Sequence, residues 1–133
     1  MEGKLISLYE LQIRRELDKI LPGIYDKIET IAKLHLSVGL RILGVLVGYA
    51  CKAQHLDCII LGRKLIKKMP TDWVIQHLPE AVKVNLYLDD EWEYRRLLEL
   101  ISEVAPQLLK EYIAIGLESN NWEVREAAED FLD

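Results

Sequence analysis

Cys51, His55 and Cys58 fall at i, i+4 and i+7, a spacing that sets three metal-ligating side chains along one face of a continuous helix. Two thiolates and an imidazole are zinc ligands. Seven residues of helix rise about 10 Å, however, and sulfurs that far apart cannot share one ion at a bond length of about 2.3 Å. The expectation is that both cysteines act as small buried hydrophobes and that no metal or cofactor is bound. His35 and His77 stand in no signature with a serine, a cysteine or an acid at catalytic spacing, so no catalytic residue is assigned. Asp89, Asp90, Glu91 and Glu93 gather enough carboxylate to attract a cation, but they lack the glycine and ligand spacing of a calcium loop and read as a helix start.

One cluster has the opposite charge. Arg63, Lys64, Lys67 and Lys68 make an anion-binding patch, with Trp73 close behind as an aromatic that could stack on a base. The charge of the whole chain opposes that use. Its 133 residues carry a net charge of −5. Residues 1–70 hold 12 Lys/Arg against 7 Asp/Glu, whereas residues 71–133 hold 5 against 15. An acidic carboxyl-terminal half repels phosphate backbones and favours basic partners, which speaks against nucleic acid.

These groups must be positioned by helices. Leu5, Leu8, Tyr9, Ile13, Leu17, Ile20 and Leu21 recur at steps of three and four among charged residues, and Pro22-Gly23 closes that amphipathic stripe. Ile24, Ile28, Ile31, Leu34 and Leu36 predict a second helix. From Val38 to Ala53 the chain is apolar nearly all round and contains Gly39, Gly44 and Gly48, marking the most buried helix. The apolar window from Leu34 to Ala53 approaches membrane-spanning length, but His35, Ser37 and Arg41 within it argue for a core helix and no membrane. Cys58 to Met69 predicts the next helix, stopped by Pro70.

Thr71 and Asp72 then predict a short capped turn carrying Trp73, Val74 and Ile75, and Pro79 predicts the first residue of a helix through Leu88. Asp89-Asp90 caps a helix from near Trp92, Pro106 opens another that reaches Leu117, and Ser119-Asn120-Asn121 caps a last one from Trp122 to Leu132. No segment has the bounded alternation of a strand, so the fold class is all-α, with about seven or eight helices in a single domain over residues 1–133. Half of the residues are apolar and 29% are charged, proportions that suit one packed core. Two cysteines and no apolar leader after Met1 point to the cytoplasm.

The tetrapeptide Trp92-Glu93-Tyr94-Arg95 returns 30 residues later as Trp122-Glu123-Val124-Arg125. Cap, aromatic, acid, apolar residue, arginine and a small or apolar pair keep step in both copies. The pattern resembles HEAT-like, armadillo-type helical repeats, whose signature is a capping Asp, then Val-Arg, Ala-Ala and Leu. Val124-Arg125, Ala127-Ala128 and Leu132 match it, Asp89 with Tyr94-Arg95 matches in part, and the resemblance covers residues 89–133. Ser119 stands where the signature has Asp, Leu97-Leu98 where it has alanines, and the first half matches only through Leu40-Arg41 with Gly44.

That resemblance implies an α-solenoid of stacked antiparallel helix pairs that binds a macromolecule on its curved surface. In such a stack Arg125 is expected to bond to Asp89 or Asp90, while Trp92 and Trp122 cover the junctions between units. The function expected is a non-catalytic scaffold or adaptor domain, not an enzyme, whose partner is another protein met through Lys83, Tyr87, Lys110 and Tyr112 on the second helices. Two alternatives stand beside it. One is an acidic immunity- or inhibitor-type protein that masks a basic partner. The other is a HEAT-like DNA-binding or DNA-glycosylase-type enzyme, which would need Trp73 and an acid such as Asp72. The last helix, closed by Asp133, leaves Val124, Ala128 and Phe131 without a following helix, so the preceding repeat must cover them in a monomer or a second copy must do so in a weak homodimer.

Overall fold

The structure, a computed structural model, describes residues 7–132, and all regular structure among them is helical. Leu5 and Asp133, assigned above to the first and last helices, lie outside the described residues. Seven α-helices follow one another: α1 (Leu8–Asp18), α2 (Leu36–Cys51), α3 (Leu56–Lys67), α4 (Thr71–Asn85), α5 (Glu91–Val104), α6 (Leu109–Leu117) and α7 (Trp122–Asp130). A 3-10 segment, Ile24–Lys33, lies between α1 and α2, and a 3-10 turn, Pro106–Leu108, precedes α6.

The centre is α2, whose Ile42, Leu43, Leu46, Val47, Ala50 and Cys51 are fully buried. It packs against α3, α4 and α5, and also touches α1 and the 3-10 segment. No helix among the described residues is long and apolar enough to cross a membrane. Close approach of α3 to α2 depends on Gly62, where an added Cβ would stand 2.8 Å from the Ala50 nitrogen. The odd-numbered helices form a second set of contacts, α1 on α3, α3 on α5 and α5 on α7, while α6 packs on both α5 and α7. Val124, Ala127 and Ala128 of α7 are buried in that layer and Phe131 packs against it, so the stripe on the last helix is covered within one chain.

Two sequence expectations about elements are corrected. The second stripe is not an α-helix. It is a 3-10 segment kinked at Lys27 (φ −136°, ψ 32°), entered through Gly23 at φ +83°. Asp18 accepts a hydrogen bond from the Gly23 amide at 2.9 Å, holding a turn only glycine adopts without strain. Tyr25, Ile28 and Ile31 are buried at steps of three, which places them on one side of a 3-10 helix but spreads them round an α-helix. The other correction concerns Pro79, which lies inside α4 and opens nothing. An internal proline deletes one ladder bond and costs about 3 kcal/mol. Burial of Val74, Leu78, Ala81 and Val82 on the two sides of it outweighs that loss, so one helix runs where a short turn and then a helix were expected.

Candidate partner-binding edge

The suspected metal constellation is dispersed by a helix break. Cys51 is the last residue of α2, and Cys58 lies in the first turn of α3. His55 is the N-cap of α3, and its Nδ1 accepts the Asp57 amide at 3.2 Å while its ring stacks on Tyr9 with centroids 4.0 Å apart. Both thiols are buried, and desolvation pushes Cys51 up to about 12 and raises Cys58 as well. Among the described residues no three His, Cys, Asp or Glu side chains are placed to share a metal ion. His35 caps α2 through Ser37, and His77 stacks on Trp73 at 4.7 Å.

The basic patch is half spent on ion pairs. Arg63 bonds to Glu99, and Lys67 faces Glu103 at 3.9 Å, leaving Lys64 and Lys68 exposed with no ion pair among the described residues. Trp73 is partly buried with one edge of its ring against α2, where a Cβ on Gly39 would meet its Cζ2 at 3.0 Å. Of the four residues expected to meet a partner, Lys83, Tyr87 and Lys110 are exposed. Tyr112 is not: it is 5% exposed and belongs to the core between α5 and α6, where its carbonyl accepts the Tyr94 hydroxyl at 2.7 Å.

The repeat residues also depart from expectation. Arg125 does not reach Asp89 or Asp90; it donates to the Ser119 carbonyl at 2.8 Å, closing the turn before its own helix. The loops that precede α5 and α7 are joined by the α7 cap instead. Ser119 donates to the Asp89 carboxylate at 3.1 Å, and Asn121 donates to the Asp89 carbonyl at 2.8 Å while accepting the Glu123 amide. Arg95 bridges the same two helices by pairing with Glu91 and with Asp130, both at 3.1 Å. Neither tryptophan is buried. Trp92 is 39% exposed beneath the Arg96 guanidinium, and Trp122 is 62% exposed.

Those two tryptophans belong to a longer series. Leu8 and Leu56 open α1 and α3 as Trp122 opens α7, and Trp92 is the second residue of α5. Both leucines are exposed, Leu8 at 79% and Leu56 at 64%. Each helix start has a side-chain cap, respectively Ser7, His55, Asp90 and Asn121, and an acid in the first turn: Glu10, Asp57, Glu93 and Glu123. Three contacts tie these starts into one row. The Tyr9–His55 stack joins α1 to α3; Leu56, Arg63, Trp92 and Arg96 line one depression between α3 and α5; and the Asp89 bonds join α5 to α7. Tyr87, 65% exposed, joins this edge because its amide donates to Glu93 at 2.9 Å. Cap, hydrophobe and acid within four residues is a signal present at all four starts, yet only the tryptophan copies are alike enough to be seen as a repeat.

Away from this edge, a groove of about 520 Å³ runs along α2 between α1 and α4, lined by Glu16, Lys19, Arg41, Gly44, Glu80 and Val84 among others. Its charges are of both signs, and nucleophile and base are not brought together in it. The chain matches no family profile, no curated protein and no solved structure at a significant level.

Proposed function

We propose that the chain is a non-catalytic protein-interaction domain built as a HEAT-like α-solenoid. Helices alternating in two layers support this reading: the odd-numbered helices follow one another as α1, α3, α5 and α7, and α2 and α4 pack in the other layer. The cap-to-cap bonds between Asp89 and the Ser119–Asn121 loop are a device that stacks one unit on the next. Two irregularities remain within it. The first unit contains a 3-10 segment, and α2 reaches across to α5.

The single observation that carries the interaction reading is the row of exposed apolar side chains at the four odd-numbered helix starts. One exposed leucine needs no explanation, but hydrophobes in register along one edge are a surface that folding alone does not require. Hot spots are enriched in tryptophan, and two of the four are tryptophans. The test is capture from a cell lysate by the immobilised full chain and by Trp92→Ala and Trp122→Ala, with melting temperature as control. A specific partner should be lost from both variants while their melting temperature stays within a few degrees of the parent. Capture of no protein by the parent chain above a bare-resin control would refute the reading.

A DNA-glycosylase-type activity is disfavoured by the pairing of Arg63 and Lys67 and by the position of Trp73 against α2. An electrophoretic shift with duplex DNA at low salt is expected to be negative, and retardation of the duplex would reinstate it.

A further inference from the structure

We propose that the edge formed by the starts of α1, α3, α5 and α7 docks a different protein with a basic surface, and that Leu8, Leu56, Trp92 and Trp122 are its apolar anchors. The inference rests on the protein-interaction reading and adds where contact is made and what chemistry the partner brings. Packed helices lie about 8–10 Å apart, so four starts in a row span about 24–30 Å. That length suits a standard interface of about 800 Å² on each partner.

Charge selects the occupant. Each helix start contributes roughly +0.5 of an elementary charge, so four contribute about +2. Against this stand the carboxylates of Glu10, Asp57, Asp90, Glu91, Glu93 and Glu123, of which only Glu10 and Glu91 face an arginine. Arg63 and Arg96 nearby share Glu99. The edge is therefore negative in sum with apolar points set into it, and a lysine- or arginine-rich surface carrying exposed hydrophobes complements both features. A second copy of the chain complements them poorly. Two such edges would repel each other, and at the opposite edge, where Lys67 faces Glu103, Lys64 and Lys68 supply positive charge but the exposed Leu36 that opens α2 is not one of a row, since α4 opens on the polar Thr71 and α6 on the half-buried Leu109.

Photo-cross-linking in a cell lysate tests this, with benzoylphenylalanine placed in the full chain at position 122 or 56 on the edge, or at position 72 or 110 away from it. Adducts are identified by mass spectrometry, and the adducted protein is purified for binding measurements. The expected result is one protein of isoelectric point above 9, cross-linked from both edge positions and from neither distant one. Its affinity for the chain should fall at least tenfold between 50 and 300 mM NaCl, and at least tenfold again in Trp92→Ala or in Asp57→Lys/Glu123→Lys. An acidic partner, a salt-insensitive one, or a second copy of the chain at the edge would overturn the partner's chemistry and leave the interaction reading standing. Adducts only at the distant positions would overturn the edge. No protein adduct from any position, or adducts to nucleic acid alone, would overturn the inference and the interaction reading together.

Discussion

Alanine at Gly116 should destabilise the protein, and alanine at Gly48 should stabilise it. Both glycines lie in helices, α6 and α2, where replacing glycine by alanine gains roughly 0.5–1 kcal/mol of helix propensity. Their surroundings differ. A Cβ on Gly48 meets nothing within 4 Å. A Cβ on Gly116 would penetrate Tyr94, overlapping Oη and Cζ and standing 2.7 Å from Cε2. Tyr94 has nowhere to go: it is fully buried, and its hydroxyl donates to the Tyr112 carbonyl at 2.7 Å. Overpacking costs about 1–3 kcal/mol, and a broken buried hydrogen bond about 1–3 more. After the propensity gain is subtracted, Gly116→Ala should lose about 1–5 kcal/mol, a large part of the 5–15 kcal/mol typical of a domain. Urea titration followed by far-ultraviolet circular dichroism measures both variants. Tyr94→Leu combined with Gly116→Ala should cost less than the sum of the two single changes, because the clash has been removed. A Gly116→Ala protein as stable as the parent, or one stabilised as much as Gly48→Ala, would refute the close α5–α6 packing on which the estimate stands.

Asn121→Ala should lose about 1–2 kcal/mol in the same titration, since it removes the cap of α7 and the bond to the Asp89 carbonyl together, and a loss under 0.5 kcal/mol would deny the stacking role. Alkaline pH should weaken the fold. Burial pushes Tyr94 up to about 12, so its neutral form is favoured in the folded state, and the stability it contributes is complete below the ordinary value of 10 and lost as pH rises through 12. Two units correspond to roughly 2–3 kcal/mol, so melting temperature should drop between pH 10 and 12, less steeply in Tyr94→Phe. Cys51 and Cys58 should resist a thiol reagent at pH 8 in the native protein and react together on unfolding, because both are buried and unionised; fast modification of the folded chain would contradict their burial.

Much of the helical framework is legible in local residue choice. Asp89-Asp90 and Ser119-Asn120-Asn121 announce the starts of α5 and α7, because a cap acts within three residues and needs no distant partner. The 3-10 segment was harder to read, since Ile24, Ile28 and Ile31 also fit α spacing, and only the burial of Tyr25 with Ile28 and Ile31 favours the tighter helix. At Pro79 a local rule that usually marks a helix start lost to packing of the residues on either side. Of the two tyrosines expected at a partner contact, Tyr87 is exposed, whereas Tyr112 sits on the inner face of a helix whose orientation depends on α5. Leu8 fits the apolar stripe of α1 by spacing and is nonetheless exposed, and Leu56 carries no signal of its own, because an apolar first residue looks the same in sequence whether it turns inward or out.

What the sequence alone determined is the all-helical character, most helix boundaries, the contrast of charge between the two halves and the echo at Trp92 and Trp122. Periodicity and capping are set by neighbours a few residues away. Which side of each helix is covered was decided by tertiary structure alone. Packing of α1 on α3, α3 on α5 and α5 on α7 aligns residues up to 114 positions apart, from Leu8 to Trp122, and sets four helix starts along one edge. The tryptophans that looked like packing pieces are exposed there because the buried stripe of each helix begins two residues later, at Tyr94 and Val124.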